Sequence, residues 1–172
     1  MGKYDISTIA EKLKTVSIFT DFRDEEIFQL IKGGSVFIYR KDTAICVEGE
    51  NSRGLFVILK GRVSIFKNQN QSSSLARLAT LEENHVFGEL SLIDNSPRST
   101  TVISETDTEI FEIMGDVFDK FIAQGSQDLE LRFYKKTASY LSERLRKTNE
   151  DYLNAQGLLW KYALSPEKTK NI

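Results

Sequence analysis

Residues 87–102 read FGELSLIDNSPRSTTV: an apolar approach that stops at a glycine, a short apolar turn, a second turn at Asn-Ser-Pro, and one arginine before a polar strand. Gly88 lets the backbone come close to a ligand, and N–H groups at the start of a one-turn helix point towards negative charge. Arg98 adds a planar guanidinium that can hold a phosphate with two hydrogen bonds, and Glu89 can accept hydrogen bonds from the hydroxyls of a ribose. Together these residues predict a site for a sugar phosphate.

The same stretch resembles the phosphate-binding cassette of the cyclic nucleotide-binding domain family, which includes the sensor domains of the catabolite activator protein and of the protein kinase A regulatory subunits. Gly88, Glu89, Leu90, Arg98 and Val102 fall at the spacing of that cassette. The resemblance implies that Arg98 pairs with the cyclic phosphate and that Glu89 holds the ribose 2′-hydroxyl. It also implies that backbone N–H groups of Gly88 and Leu90 complete the phosphate shell.

Two hydroxyl-bearing residues, Ser99 and Thr100, follow the arginine, where many members of the family have alanine. A hydroxyl at this place can donate to a phosphate oxygen or to the edge of a guanine. We therefore add both residues to the predicted phosphate site and leave the choice of base open. Phe87, directly before Gly88, is added as a candidate for contacting the base.

The rest of the chain predicts a mainly β fold of the α+β class. Apolar residues spaced by three and four predict two helices before residue 34. From Ser35 the apolar period changes to two, and short β-rich runs follow at 36–39, 44–47, 54–59, 62–67, 75–78, 100–104 and 108–113. Even spacing with tight turns predicts an antiparallel β-roll, that is, a jelly roll or double-stranded β-helix. Gly49, Gly61 and Asp42 stand at turns for which we expect positive φ.

Beyond Met114 the pattern becomes helical and ends in one long amphipathic segment. Apolar positions recur at coiled-coil spacing: Leu131, Tyr134, Ala138, Leu141, Leu145, Thr148, Tyr152, Ala155, Leu159 and Tyr162. This seam predicts pairing with a second copy of the chain. The alternative is a helix that packs only on its own roll.

The family resemblance also places the base against this helix. In the family, a hydroxyl-bearing pair on the dimer helix contacts the adenine, and the local match assigns that place to Thr148 and Asn149. Thr148 is also a polar residue on an otherwise apolar seam, although such a residue can instead fix the register of a coiled coil.

These patterns divide the chain into four parts. We expect a helical preface at 1–34, a β-roll at 35–114 with its cassette at 87–102, C-terminal helices at 115–164 with a dimerisation helix at 127–163, and a disordered tail at 165–172.

The composition favours a binding domain over an enzyme. The 172 residues include 23 Lys and Arg against 25 Asp and Glu, a net charge of −2, which gives no general attraction to nucleic acid or membranes. The single cysteine, Cys46, fits a reducing cytoplasm. One cysteine and one histidine, His85, cannot supply a zinc, haem or iron–sulfur centre, or a reliable catalytic triad. We expect no metal, no cofactor and no catalytic residues.

We therefore expect a cytoplasmic regulatory module that binds a cyclic purine nucleotide, with cyclic AMP favoured over cyclic GMP. It would signal through its C-terminal helix, as a homodimer, to a downstream protein partner. Two alternatives stay open. The roll could be a ligand-free scaffold for the coiled coil, or the chain could be the sensory piece of a longer effector protein, because no helix-turn-helix follows the long helix.

Overall fold

The computed structural model of the chain describes residues 5–68 and 75–163. The predicted disordered tail at 165–172 lies outside this range. The α-helices are α1 (Ile6–Thr15), α2 (Asp24–Gly33), α3 (Glu89–Asp94), α4 (Gly115–Gln124) and α5 (Gln127–Ala163), and a 3₁₀-helix spans Ser17–Phe19. The strands are β1 (Ser35–Tyr39), β2 (Ala44–Cys46), β3 (Gly54–Lys60), β4 (Val63–Asn68), β5 (Leu75–Leu81), β6 (Val86–Phe87), β7 (Thr101–Ser104) and β8 (Thr108–Met114).

The strands form two four-stranded antiparallel sheets, in the orders β1-β8-β3-β6 and β2-β7-β4-β5. Successive strands along the chain lie in opposite sheets, except that β4 and β5 are neighbours in the second sheet, and this arrangement is the β-roll that the sequence predicts. Four of the turns between strands contain a residue with positive φ, namely Asp42 at 64°, Gly49 at 87°, Gly61 at 95° and Asn84 at 65°, and the sequence predicts the first three. The predicted fold class and these three turn conformations are confirmed.

Strand β3 lies between two separate apolar cores. Its residues Leu55, Val57 and Leu59 belong to the core that also contains the helices, whereas Phe56 and Ile58 belong to the core inside the roll. Six consecutive residues of this strand are buried as a result. A strand covered on both faces reads as a continuous apolar run, which explains its Leu-Phe-Val-Ile-Leu sequence.

The first turns of α5 attach it to the other helices. The ring of Phe133 lies 4.8 Å from that of Phe118 in α4 and 6.4 Å from that of Phe22, measured between centroids. Arg132 Nη2 forms an ion pair of 2.5 Å with Glu26 Oε1 in α2. The buried stripe of α5 includes Leu129 and Phe133, and the sequence pattern did not single it out.

The second half of α5 extends away from the roll. From Leu145 to Tyr162 nearly every side chain is exposed. The predicted seam is therefore separate from the stripe that attaches the helix, and these of its large members lie exposed: Leu131, Tyr134, Leu145, Tyr152, Leu159 and Tyr162.

Candidate functional site

The predicted cassette is a short helix with a left-handed residue at each end. Gly88, with φ of 83°, precedes α3, and Asn95, with φ of 57°, follows it. A Cβ atom on Gly88 would lie 2.5 Å from the Gly54 carbonyl oxygen and 2.6 Å from Arg98 Nη1. The backbone at residue 88 can therefore lie against β3 and Arg98 only because it carries no side chain. The first N–H groups of α3 have no acceptor within the helix.

The Arg98 side chain is buried beneath this helix, with only 5% of the residue exposed. Its guanidinium stacks over the Phe56 ring, 4.8 Å from the centroid. It donates hydrogen bonds to oxygens of two adjoining segments: Nε to Ser52 Oγ (3.1 Å), and Nη1 to Gly54 O (2.9 Å), Ser91 Oγ (3.0 Å) and Gly88 O (3.4 Å). Nη2 has no hydrogen-bond partner among the described residues. The charge is thus fixed in place while one nitrogen stays available.

The electrostatics around Arg98 are those of a buried cation with acidic neighbours. Burial lowers the pKa of its guanidinium, whereas the nearby Cys46, Glu50 and Glu112 act in the opposite direction. A guanidinium remains protonated in proteins despite such a shift. The site therefore offers a permanent positive charge in a place that water has largely left, where attraction to an anion is strong.

Glu89 is the second buried charge of the cassette, with 2% of the residue exposed. Its Oε1 forms an ion pair of 2.7 Å with Nη1 of Arg144, which reaches it from α5. Burial raises the pKa of the Glu89 carboxyl, and the charges of Arg144 and Arg98 oppose that rise. Sequence reasoning did not identify Arg144 as a partner, because 55 residues separate it from Glu89.

The other predicted phosphate residues lie around these two charges. Leu90 is exposed and Thr100 is partly buried. Ser99 is exposed, and its carbonyl accepts a 2.7 Å hydrogen bond from Lys67 Nζ. The same ammonium group forms a 2.7 Å ion pair with Glu48 Oε1, so its charge at this end of the cassette is already balanced.

The predicted base contacts occupy two different environments. Phe87 is 3% exposed and stacks on Phe56, with ring centroids 4.9 Å apart and planes 8° apart, so it serves the core of the roll. Thr148 and Asn149 are exposed on α5. Thr148 Oγ1 donates to the carbonyl oxygen of Arg144 at 2.9 Å, one turn earlier. Thr148 therefore lies on the same face of α5 as Arg144, whereas Asn149 is rotated by about 100° from Thr148.

A further arginine connects the cassette to the C-terminal helices. Arg53 donates from Nε to the Ser91 carbonyl oxygen at 3.3 Å and from Nη2 to that of Leu92 at 3.2 Å. The same guanidinium pairs with Asp119 of α4 at 2.8 Å. A movement of α3 would therefore act directly on α4 through the contacts of Arg53. Arg53 carries no recognisable motif, and only the fold identifies this role.

The described part of the chain contains no group of three or more His, Cys, Asp or Glu side chains that could hold a metal ion. Within the same residues, no helix is both long enough and apolar enough to cross a membrane.

Comparison with known proteins gives a consistent result at three levels. A family model described as the cyclic nucleotide-binding domain matches residues 36–125. The chain is 26% identical to mouse cGMP-dependent protein kinase 2 over 142 residues, covering 74% of this chain and 19% of the kinase. It is 25% identical to the cAMP-dependent protein kinase regulatory subunit of Candida albicans over 126 residues, covering 73% of this chain and 26% of the subunit. The chain thus spans about a fifth to a quarter of the length of these relatives.

Solved structures share the fold at lower sequence identity. A cyclic nucleotide-binding domain from Methylobacillus flagellatus superposes with a TM-score of 0.75 at 23% identity, over 87% of this chain and 83% of that one. The catabolite activator protein of Thermus thermophilus superposes with a TM-score of 0.68 at 21% identity, over 81% of this chain and 63% of that one.

Proposed function

The chain belongs to the cyclic nucleotide-binding domain family, and on that premise we propose that it is a sensor that binds a cyclic purine nucleotide and transmits binding through α5. The observation that carries this proposal is the buried, oriented guanidinium of Arg98 beside the start of α3. An arginine held this firmly loses little conformational freedom when an anion binds, so more of the interaction appears as affinity. In the proposed complex, Nη2 of Arg98 and the first N–H groups of α3 bind the cyclic phosphate, with Ser99 and Thr100 beside them.

We propose that Glu89 holds the ribose 2′-hydroxyl. A carboxylate offers about four acceptor positions, and Arg144 uses one of them on Oε1. The remaining positions can accept a hydroxyl hydrogen without displacing Arg144. Ribose binding and the attachment of α5 are then compatible in one arrangement.

For the base, we propose adenine ahead of guanine, with Thr148 as the contact. The hydroxyl hydrogen of Thr148 is donated to the Arg144 carbonyl, so the remaining capacity of its oxygen is to accept. Adenine presents an amino donor at its six-position, where guanine presents an acceptor oxygen. Asn149 and Phe87 remain candidates for secondary base contacts.

Transmission follows from the two arginines that join the site to the helices. Arg53 connects the end of α3 to α4, and Arg144 connects the start of α3 to α5. A nucleotide can shift the position of α5 only if it binds one position more tightly than another. Contacts from both Glu89 and Thr148 to the same ligand would supply that difference.

We propose that the exposed half of α5 pairs with a second copy of the chain. The helix spans 37 residues, and its exposed half bears a concentration of large apolar side chains: Leu145, Tyr152, Leu153, Leu158, Leu159, Trp160 and Tyr162. A self-complementary a/d spacing favours a copy over an unrelated partner. A cytoplasmic location, a downstream protein partner and the absence of a catalytic role complete the proposal.

A ligand-free scaffold is the second candidate, and one observation favours it. Both charges of the cassette already have protein partners, because Arg98 binds Ser52, Gly54 and Ser91 while Glu89 binds Arg144. Such a network could serve stability alone. A scaffold predicts a dimer whose sedimentation and melting temperature do not respond to nucleotides.

Calorimetric titration with cyclic AMP and then cyclic GMP tests the proposal. We expect Arg98→Ala to weaken binding by at least about thirtyfold, the effect of removing one partner of a buried charged contact. Arg98→Lys keeps the charge without the planar fork and should recover only part of the affinity. Arg40→Ala removes an exposed arginine paired with Asp107 and serves as the control. Equal binding by wild type and both Arg98 variants, or no binding by a folded wild type, would contradict the proposal.

A further inference from the structure

Glu112 is an acidic residue in the wall of the roll, outside the cassette. In the register of β3 and β8 it lies opposite Phe56, whose ring carries the guanidinium of Arg98. Directly opposite residues of an antiparallel pair share a face of the sheet, and their Cβ atoms lie about 4.5–5.5 Å apart. Because Phe56 belongs to the core inside the roll, the Glu112 side chain also lies on the inner face, close to Arg98.

A tyrosine of the first strand holds the Glu112 carboxylate in this place. The Tyr39 hydroxyl donates a hydrogen bond to Glu112 Oε1, and the Tyr39 ring packs against the same inner core. Burial raises the pKa of the Glu112 carboxyl, whereas the hydrogen bond from Tyr39 and the charge of Arg98 oppose that rise. Both of these contacts favour the ionised carboxylate.

Glu112 differs from the other carboxylates that act on Arg98, which are Glu50 and Glu89. Glu89 is paired with Arg144, and Glu50 is exposed, so that water and salt screen its charge. Glu112 is partly buried, and it has no ion-pair partner among the described residues. Its negative charge therefore weakens the attraction that Arg98 exerts on an anion.

We propose that Glu112, oriented by Tyr39, is a specificity-determining residue that favours phosphates with one negative charge, so that the site accepts a cyclic phosphate diester and disfavours a terminal phosphate monoester. A diester carries one negative charge, whereas a monoester has a second pKa near 6 and carries almost two at neutral pH. Repulsion from Glu112 is proportional to the charge of the ligand, so a monoester loses about twice as much binding free energy to it. This inference rests on the proposed function, since it concerns the ligand of the same site.

The test measures the affinities of three adenine nucleotides at about pH 7.5: cyclic AMP, 5′-AMP and the methyl ester of 5′-AMP. The two open-chain nucleotides are measured by displacement of cyclic AMP. The methyl ester lacks the cyclic phosphate, as 5′-AMP does, but carries one negative charge, so it separates the effect of charge from that of the ring.

Glu112→Gln removes the charge and keeps an oxygen that can accept from Tyr39. We expect this variant to bind cyclic AMP and the methyl ester about threefold more tightly than the wild type does, and 5′-AMP about tenfold more tightly, because doubling the ligand charge squares the fold-change. Tyr39→Phe should change the affinities in the same direction by smaller factors, because burial then favours the neutral form of Glu112.

Glu109→Gln is the matched control, because Glu109 lies on the same strand but on its other face, opposite Ile38 of β1. Its affinities should equal those of the wild type. Equal gains for all three ligands in Glu112→Gln, or no gain for any of them, would overturn the inference. Failure of 5′-AMP to displace cyclic AMP from either protein would assign the selectivity to the shape of the site, which also overturns it. A wild type that binds neither cyclic AMP nor cyclic GMP would overturn the proposed function as well, so the two failures are distinguishable.

Discussion

Replacing Gly88 with alanine tests the steric basis of the cassette. Alanine at φ of 83° occupies a region that costs an L-residue about 1–2 kcal/mol. Its Cβ would also lie 2.5 Å from the Gly54 carbonyl oxygen, which belongs to β3 and cannot rotate away. Forcing a methyl group into a packed place of this kind costs about a further 1–3 kcal/mol. We therefore expect Gly88→Ala to lower the free energy of unfolding by about 2–5 kcal/mol in total.

The chain contains a control for the strain contribution alone. Gly49 has φ of 87°, and a Cβ there would meet nothing within 4 Å. Gly49→Ala should therefore cost only about 1–2 kcal/mol. Urea unfolding of the two variants measures both values, with the m-value used to check that the denatured states are comparable. Calorimetry on the folded fraction should show lost nucleotide affinity for Gly88→Ala alone, because its methyl group displaces Arg98 Nη1.

The comparison has a clear negative outcome. If the two alanine variants unfold at the same urea concentration, the close approach of residue 88 to β3 does not constrain this site. Normal affinity in a destabilised Gly88→Ala would show that Arg98 can move without loss of the ligand.

Two other predictions concern the contacts of the helices. Hydrogen bonds from Ser126 and Arg132 lower the pKa of Asp128 from 3.8 to about 2, so its stabilising contribution is present above about pH 4 and lost as the pH falls towards 2. Asp128→Asn should accordingly have a lower melting temperature than the wild type in calorimetric scans at pH 7. This difference in melting temperature should shrink in scans between about pH 4 and pH 2. A difference that does not change with pH would show that the Asp128 carboxylate does not contribute in this way. Arg53→Gln should weaken nucleotide binding by about two- to fivefold by releasing α3 from α4. Titration measures this effect against the exposed control Arg40→Gln, and an unchanged affinity would show that this bridge is not coupled to the site.

The sequence predicted the roll well because its signals are local. The change of apolar period at Ser35 marks the first strand, and the turn residues Asp42, Gly49 and Gly61 adopt the positive φ that their positions suggested. The sequence did not predict strand β6, because two residues are too few to show an apolar period. These residues form a strand only because they pair with Phe56 and Val57 of β3.

The candidate site was predictable only in its contiguous part. Gly88, Glu89 and Arg98 lie in one segment with a recognisable spacing. The groups that hold the cassette in place come from elsewhere: Ser52 and Arg53 from the segment just before β3, and Arg144 from α5. Such contacts depend on how distant segments meet, and the sequence around an arginine on an amphipathic helix gives no local sign that this arginine will reach a buried carboxylate. We considered Phe87 for a base contact only because it precedes Gly88 in the sequence. Its ring is instead packed in the core of the roll, and the sequence next to the cassette gives no sign of that packing.

The anchoring of α5 at one end makes it a lever. Its last contact with the cassette is Arg144, and about nineteen residues follow, which is ~28 Å of helix at 1.5 Å per residue. A tilt of about 10° at that anchor would move the far end by ~5 Å, close to one helical pitch. A displacement of that size would be large enough to separate or rejoin a neighbouring helix, and the length of the free arm determines how far a given tilt moves its end.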